Sequence, residues 1–500
     1  MAIRIAGMAS GMDTEAMVQD LVKAYKTKGA NYTKKQKRAE QKQDAWKDLN
    51  KKIKSFTNKY AANMQYSSYY ASKKTTVSDE TKASVVSSDG AVNGSQTLEV
   101  LDTAKTAYLT GAKVKAGTTK DTTIGSLIGN ASSDLGKIKV NGQSFDITAD
   151  MKVSEFVSRL NTAGLTASFD EGNGRIFVSA KKSGTEGDFS FESTTSGGDD
   201  ALVALGLKAD PDKVGTEGYE GPVKLPGSDA RIKLNGAEFT SSSNTFSING
   251  LTITAKAKTE GQLSITTDTD YDAIYDKVKS FIKDYSSLIN EMTKLYNAPA
   301  NKGYDPLTDE EKEALSDSEI KKWEDKVSES LLRRDGNLSS LSSILRNSMS
   351  QTFDIDGKTY SLSSFGINTL SYFTAPEDER NAFHIDGDPD DDETSGNADK
   401  LKAAIAANPG AVTEFFSKLA KNMYSKLQEF SKSSSTRSYG SFYDDKQMKE
   451  DITKAESKVT KWDDYVKSIE DRYYKQFSKM ESAMATLNSQ QNYIAGFFGG

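Results

Sequence analysis

Residues 452–497 read ITKAESKVTKWDDYVKSIEDRYYKQFSKMESAMATLNSQQNYIAGF, and an apolar stripe crosses them in alternating steps of three and four residues. A repeat of ~3.5 residues keeps one seam of a helix facing a partner helix, as in a coiled coil. Since the last proline is Pro409, the pattern predicts one helix from about Asp444 to Ile494, roughly 75 Å long at ~1.5 Å per residue. No single globular core is that deep, so part of the seam is expected to meet another helix.

A second helix is predicted near the other end of the chain. Asp13 can cap it, and Met12 can pack against Met17 across its first turns. After a lysine-rich stretch its apolar stripe resumes over residues 46–60, and a third heptad pattern covers residues 274–295. We predict that the three heptad helices pair within one chain and form one bundle or stalk.

The middle of the chain changes to a period of two. Between Val77 and Thr269 it is rich in Thr, Ser, Gly and Val, which is typical of short antiparallel strands. The stretches KIKVNGQSF at 137–145 and RIKLNGAEF at 231–239 resemble each other and predict two related β-rich lobes, with a short helix near 153–160 in the first lobe. Asn-Gly pairs tolerate the positive φ of a type I′ turn and predict hairpins at Asn93-Gly94, Asn141-Gly142, Asn173-Gly174, Asn235-Gly236 and Asn249-Gly250.

Helical patterns return after the β-rich middle. Residues 331–349 and 411–430 carry helical apolar spacing, a small β element is predicted at 353–360, and the serine-rich segment 432–440 is predicted to be a mobile linker. The predicted fold class is multidomain α+β, with terminal heptad helices forming a coiled-coil or helical-bundle stalk and antiparallel β-rich head domains inserted between them. The predicted domains are terminal helical leg segments at 1–42 and 444–500, a helical stalk domain at 43–76 and 270–443, a β-rich head domain at 77–112 and 222–269, and an inserted outer β-rich head domain at 113–221.

The composition leaves little room for catalysis. The chain has 500 residues, a net charge of −6, no cysteine and one histidine, His384, so thiolate and zinc–cysteine sites are excluded and a histidine-based triad lacks a nucleophile motif. Phosphate-cradling glycine motifs are absent as well. The acidic run 386–393 places Asp391 where a calcium-binding EF-hand loop requires glycine, so a solvated acidic loop is predicted instead. We predict no enzyme activity, no catalytic residues, no cofactor and no metal.

Two further patterns bear on location and partners. The N-terminus lacks the apolar run of a Sec signal, and no stretch of ~18 apolar residues predicts a membrane span. The chain is therefore either cytoplasmic or exported by a route that does not read a Sec signal. The stretch from Lys23 to Lys59 holds 13 basic and 3 acidic residues. It fits nucleic-acid binding, a solvated helix face or complementarity to an acidic neighbour in an assembly, although the net charge disfavours a nucleic-acid partner.

Four segments carry a resemblance to a known family. They are IAGMASGMDTEAMVQDL at 5–21, the stretch 137–180, SSNTFSINGLTI at 242–253 and YKQFSKMESAMATLNSQ at 474–490. In this order they resemble the flagellar filament-capping proteins, the hook-associated protein 2 (FliD) family. The charged insertions at 297–335 and 386–399 depart from the family's pattern, and their contacts are left open.

The resemblance implies a structural cap at the distal end of the bacterial flagellar filament, which promotes folding and insertion of exported flagellin subunits and supports motility. It implies an extracellular protein that passes through the flagellar type III export apparatus, with an export chaperone and without a Sec signal peptide. It further implies a homo-oligomeric ring, a pentamer, whose terminal segments order on assembly. An adhesin that binds mucin or glycans through the head domains is the alternative function, and a hydrolase built on paired carboxylates is a third class.

Two sets of candidate site residues follow. The stalk seam, which forms either intramolecular core or a subunit interface, comprises Trp46, Leu49, Ile53, Phe56, Trp462, Val466 and Ile469. The terminal leg residues, predicted to contact flagellin, comprise Met12, Met17, Leu21, Met480, Leu487 and Ile494.

Overall fold

The computed structural model describes residues 11–129, 134–371, 373 and 375–498. The chain divides into two compact units, a helical unit made of the chain up to Tyr70 and from Tyr271 onward, and a β-rich unit, Ala71–Asp270. The described helices are α1 (Thr14–Phe56), α2 (Ile124–Ile128), α3 (Val153–Thr162), α4 (Ser196–Ala204), α5 (Tyr271–Asn297), α6 (Asp309–Glu313), α7 (Asp317–Glu329), α8 (Gly336–Met349), α9 (Lys400–Ala407), α10 (Pro409–Phe430) and α11 (Asp445–Phe498). The α+β class with long terminal helices and an inserted antiparallel β region is confirmed.

The first long helix begins as predicted and continues without a break through the lysine-rich stretch. The Asp13 side chain accepts a hydrogen bond from the backbone N–H of Ala16 at 3.0 Å, which satisfies one of the donors that a helix start leaves free. The helix runs on to Phe56 and widens into a π-helical turn at Thr57–Ala61. The packing of Met12 against Met17 stays a prediction.

The core of the helical unit forms where the second half of α1 meets α5, α8 and α10. The rings of Phe56 and Phe281 lie 5.9 Å apart, and those of Phe281 and Phe416 lie 6.4 Å apart. The third heptad pattern, on α5, therefore packs in this core with the second half of α1. The heptad helices pair within the chain as α1 with α5 and α1 with α11, so the prediction that all three form one bundle is wrong. At 43 residues α1 is roughly 64 Å long, so different parts of it reach different partners.

Small β hairpins complete the helical unit. The strands are β16 (Phe353–Ile355) with β17 (Lys358–Tyr360), which confirms the predicted β element, and β18 (Ile367–Thr369) with β19 (Phe383–Ile385). The segment predicted as a mobile linker is instead held by Arg437. Its guanidinium donates to the Phe430 carbonyl at 2.5 Å and to Asn337 Oδ1 at 2.6 Å, and it pairs with Asp444 at 3.2 Å.

The β-rich unit is antiparallel throughout its described strands. The strands are β1 (Lys73–Val77), β2 (Ala83–Ser87), β3 (Gly94–Asp102), β4 (Thr106–Thr110), β5 (Gly136–Val140), β6 (Gln143–Ile147), β7 (Leu165–Asp170), β8 (Arg175–Ser183), β9 (Glu192–Ser193), β10 (Val223–Leu225), β11 (Ala230–Leu234), β12 (Ala237–Ser241), β13 (Thr245–Ile248), β14 (Leu251–Ala255) and β15 (Leu263–Thr269). A five-stranded sheet of order β1-β15-β3-β11-β12 and a three-stranded sheet of order β13-β14-β2 share one apolar core.

A second core lies between β4 and β10 in sequence. It joins the four-stranded sheet of order β10-β4-β8-β7, the three-stranded sheet of order β6-β5-β9 and the helices α2, α3 and α4. Because β4 and β10 pair with each other, the chain enters and leaves this part through neighbouring strands. Both strands lie just outside the limits 113–221, so the sheet extends past the predicted inserted domain, whose boundaries stay a prediction.

The turn residues explain three of the five predicted hairpins. Asn141, Asn235 and Asn249 have φ of 51°, 50° and 47°, and each is followed by a glycine with positive φ, as a two-residue type I′ turn requires. The repeated motifs form equivalent hairpins, with Ile138 opposite Phe145 and Ile232 opposite Phe239. Asn173-Gly174 also closes a hairpin, between β7 and β8, but through a four-residue loop instead of a two-residue type I′ turn. The prediction at Asn93-Gly94 is wrong, because this pair leads into β3 without closing a hairpin.

Candidate assembly surface

The two terminal helices form an antiparallel pair. At one end the rings of Trp46 and Tyr443 stack 5.4 Å apart, and at the other end Tyr474 donates a hydrogen bond to Glu15 Oε2 at 2.6 Å. The two helices therefore run in opposite directions. This pairing confirms that the C-terminal seam meets another helix of the same chain.

A glycine marks the closest approach in the middle of the pair. A Cβ atom on Gly29 would lie 2.9 Å from Trp462 Cδ1, which is closer than van der Waals contact allows. The Trp462 ring also lies 5.5 Å from that of Tyr32, and its Nε1–H donates to the Tyr25 carbonyl at 2.9 Å. Glycine inside a helix costs stability, so its place here is explained by the space that the indole needs.

The seven predicted seam residues fall into two separate groups. Trp46, Leu49, Ile53 and Phe56 lie in the core of the helical unit, whereas Trp462, Val466 and Ile469 lie on α11 where it pairs with α1. Val466 and Ile469 are buried, and Trp462 is partly exposed. In the single chain all seven pack intramolecularly, so their use as a subunit interface stays a prediction.

The predicted leg residues lie mostly on exposed helix surface. Met17 is 39% exposed and Leu21 44%, although their neighbours Val18 and Val22 are fully buried. Met12 and Met480 are partly buried. Contact of these side chains with flagellin stays a prediction.

The last turns of α11 are the most exposed part of the pair. The helix continues from Tyr474, opposite Glu15, to Phe498, which adds roughly 36 Å at ~1.5 Å per residue. Of the described side chains from 482 to 496, only Met484 is partly buried. Leu487 is 61% exposed and Ile494 56%, so the heptad stripe continues here without the cover that it has beside α1.

The charged insertion at 297–335 pairs with the basic face of α1, which sequence reasoning left open. Lys34 Nζ lies 2.6 Å from Glu311, and Lys37 Nζ lies 2.8 Å from Asp309. For these two lysines the interpretation that fits is complementarity to an acidic neighbour. The acidic neighbour belongs to the same chain. The opposite charge of the two segments was the signal that could have predicted the contact.

These pairs change the titration of the acidic partners. A hydrogen bond from Lys37 lowers the pKa of Asp309. Burial raises the pKa of Glu311, but hydrogen bonds from Lys34 and Thr308 and the lysine charge outweigh it and hold the pKa below its usual value. Both carboxylates therefore keep their negative charge toward the basic face of α1.

The acidic loop 386–399 is held by side chains of the helical unit. Lys279 Nζ lies 2.5 Å from Asp388 and 2.7 Å from Asp390, and His384 Nδ1 lies 2.7 Å from Asp391. Asp388 is buried, whereas Asp390, Asp392 and Glu393 are exposed, so the predicted solvated loop is found for part of the acidic run. Among the described residues no group of three or more His, Cys, Asp or Glu is placed to hold a metal ion. The helices in the part of the chain that the structure describes all lack the long apolar run that a membrane span requires.

The fold is that of a multidomain protein with an antiparallel pair of terminal helices, a helical core and an inserted antiparallel β-rich unit. Its candidate functional surfaces are exposed and charged helix faces, and the described residues form no catalytic site. The family model described as "Flagellar hook-associated protein 2 C-terminus" matches residues 227–489, and the one described as "Flagellar hook-associated protein 2 N-terminus" matches residues 10–107. The chain belongs to the flagellar hook-associated protein 2 family. It is therefore a structural protein of the flagellum and not an enzyme.

Similar proteins agree with this assignment. Flagellar hook-associated protein 2 of Halalkalibacterium halodurans is 24% identical over 560 residues, which cover 99% of this chain and 100% of the relative. The protein of the same name from Thermotoga maritima is 24% identical over 72% of this chain and 54% of its own length. The crystal structure of the D1-D2-D3 domains of the flagellar cap protein FliD from Escherichia coli shares the fold with a TM-score of 0.50 and 19% identity, over 82% of this chain and 99% of that one.

Proposed function

We propose that this protein caps the distal end of the bacterial flagellar filament and promotes folding and insertion of exported flagellin, so that the filament elongates and the cell swims. Membership of the hook-associated protein 2 family supports this function. The capping proteins act as homo-oligomers outside the cell at the filament tip, and we extend that behaviour to this chain as a ring, a pentamer. Export would use the flagellar type III apparatus and an export chaperone.

The observation that carries the proposal is the uncovered stripe at the end of α11. Leu487 and Ile494 lie on the heptad seam but are exposed along the part of α11 that extends past Glu15. Burying two such side chains contributes roughly 1.5–3 kcal/mol each, which favours a helical partner over solvent. In a growing filament the partner offered there is the flagellin subunit or a neighbouring cap subunit.

The experiment compares two charge pairs on the same turns of α11. Leu487→Asp with Ile494→Asp places two carboxylates on the apolar stripe, while Ser489→Asp with Asn492→Asp places them on the opposite helix face. We expect the stripe variant to secrete unpolymerised flagellin and to lose swimming, because the charged stripe disfavours a buried helix contact. The control variant should keep filaments of normal length.

Normal filaments from the stripe variant would contradict the proposal. Light scattering on the purified full-length proteins then separates the two partners: loss of a discrete oligomer assigns the stripe to cap subunits, and an unchanged oligomer assigns it to flagellin. The described β-rich unit shows no feature that favours the adhesin alternative, which stays a prediction.

A further inference from the structure

The basic face of α1 meets acidic side chains where the helix leaves the core. Lys34, Lys37, Arg38 and Lys42 share one helix face, since they are spaced three, four and eight residues apart. Their nitrogens pair with acidic residues of the segment 304–335, at 2.6 Å for Lys34–Glu311, 2.8 Å for Lys37–Asp309, 3.4 Å for Arg38–Asp305 and 2.8 Å for Lys42–Asp335. The segment 304–335, here named the acidic segment, therefore follows two turns of α1.

The acidic segment is itself folded, and contacts within it hold its carboxylates in place. Thr308 and Glu311 form a reciprocal capping box at the start of α6, and Lys312 on α6 pairs with Glu324 on α7 at 2.5 Å. The Trp323 ring lies 4.8 Å from that of Tyr304, and its Nε1–H donates to the Asp305 carbonyl at 2.8 Å. The pairs with α1 thus join two ordered elements.

The end of the acidic segment connects both long helices. The Asp335 side chain is only 6% exposed, pairs with Lys42 of α1, and also caps α8 by accepting from the backbone N–H of Asn337 at 3.0 Å. Asn337 in turn donates to Asp444 Oδ2 at 3.0 Å, directly before α11 begins. A stretch of three residues therefore holds α1 on one side and the start of α11 on the other.

We propose that the acidic segment and the first turn of α8 have a positioning role: they fix the direction in which the α1–α11 pair leaves the helical core. A single exposed ion pair contributes little and is screened by salt. Four pairs on consecutive turns resist bending of the helix, because bending must stretch several of them together. The inference goes beyond capping, since it concerns the isolated chain and holds whatever partner the end of α11 meets.

The test measures the direction of the helix pair within one chain. The chain has no cysteine, so Lys467→Cys on α11 and Lys358→Cys on β17, both exposed, accept two spin labels at defined positions. Lys34→Glu, Lys37→Glu and Arg38→Glu together place like charges opposite the acidic segment. We expect the label-to-label distance distribution to become at least twice as wide, and amide exchange in residues 30–42 to accelerate at least tenfold, with the thermal unfolding of the core unchanged.

A matched control makes the same change in charge elsewhere on α1. Lys47→Glu, Lys51→Glu and Lys54→Glu make this change nearer the end of α1, where Asp44 and Asp48 of the same helix are the ion partners of Lys47 and Lys51. This control should keep the narrow distribution. Adding Asp305→Lys and Asp309→Lys to the first variant should narrow its distribution again. An unchanged width in the first variant, equal broadening in the control or no rescue by the two lysines would each overturn the proposal.

Discussion

At the scale of single residues, close contacts explain why certain residue types occupy positions that the apolar periodicity does not distinguish from their neighbours. Gly29 lies inside a helix, where glycine is unfavourable, because Trp462 occupies the space beside it. His384, the single histidine of the chain, is mostly buried and pairs with Asp391. The apolar periodicity put Trp462 among the predicted seam residues but carried no signal for Gly29, since the contact joins residues more than 400 positions apart.

The Gly29 contact leads to a prediction for the helix pair. Gly29→Val should open the pair near Trp462, because overpacking of a fitted contact costs about 1–3 kcal/mol, more than the helix propensity gained by replacing glycine. Amide exchange of residues 14–40 should accelerate while that of the core stays unchanged. Ala24→Val on an exposed position of the same helix is the control and should leave exchange as in the unaltered protein. Unaltered exchange in Gly29→Val would show that Trp462 moves aside without cost.

At the scale of elements, each long helix is defined locally but anchored by distant residues. The start of α11 follows Asp444, which accepts from Asn337 at 3.0 Å and from Thr436 at 2.8 Å and pairs with Arg437. Burial raises the pKa of Asp444, but these hydrogen bonds and the arginine charge outweigh it and lower the pKa. The segment predicted to be mobile is thus the anchor of the C-terminal helix.

The lowered pKa of Asp444 predicts a pH dependence with a definite sign. A carboxylate whose pKa is lower in the folded state stabilises the fold above the unfolded pKa of ~3.9 and loses that contribution as the pH falls through the folded value. Asp444→Asn should therefore reduce the loss of unfolding free energy between pH 7 and pH 3 by on the order of 1 kcal/mol, a figure discounted for partial exposure. Urea unfolding at both pH values measures it, with Asp451→Asn on the exposed face of α11 as control. An equal acid loss in Asp444→Asn and the unaltered protein would refute the argument.

At the scale of the whole molecule, the β-rich unit is closed by its own ends. Its first strand pairs with its last, with Lys73 opposite Thr269, and the Asp270 N–H donates to the Ser72 carbonyl at 2.9 Å. Two apolar cores lie inside it, and both are built from residues between 71 and 270. Such an arrangement needs no other part of the chain to complete its sheets.

This closure predicts that residues 71–270 fold alone. The fragment should show a cooperative thermal transition and β-type circular dichroism, because every strand of its sheets is present. A fragment ending at residue 227 is the control: it lacks β11 to β15, so its five-stranded sheet loses three members and we expect no transition for that part. A disordered 71–270 fragment would mean that the helical unit is required for the β-rich unit to fold.

The sequence by itself determined the helices with long heptads, the cap at Asp13, the hairpins at Asn141, Asn235 and Asn249, and the family. These features depend on local backbone preferences or on the period of apolar residues, which neighbouring positions carry. Only the tertiary structure decided that α5 joins the core while α11 pairs with α1, and that Lys34 and Lys37 meet Glu311 and Asp309. The reason is physical: apolar seams and charges are non-directional, so periodicity shows which face is buried or charged but does not select its partner.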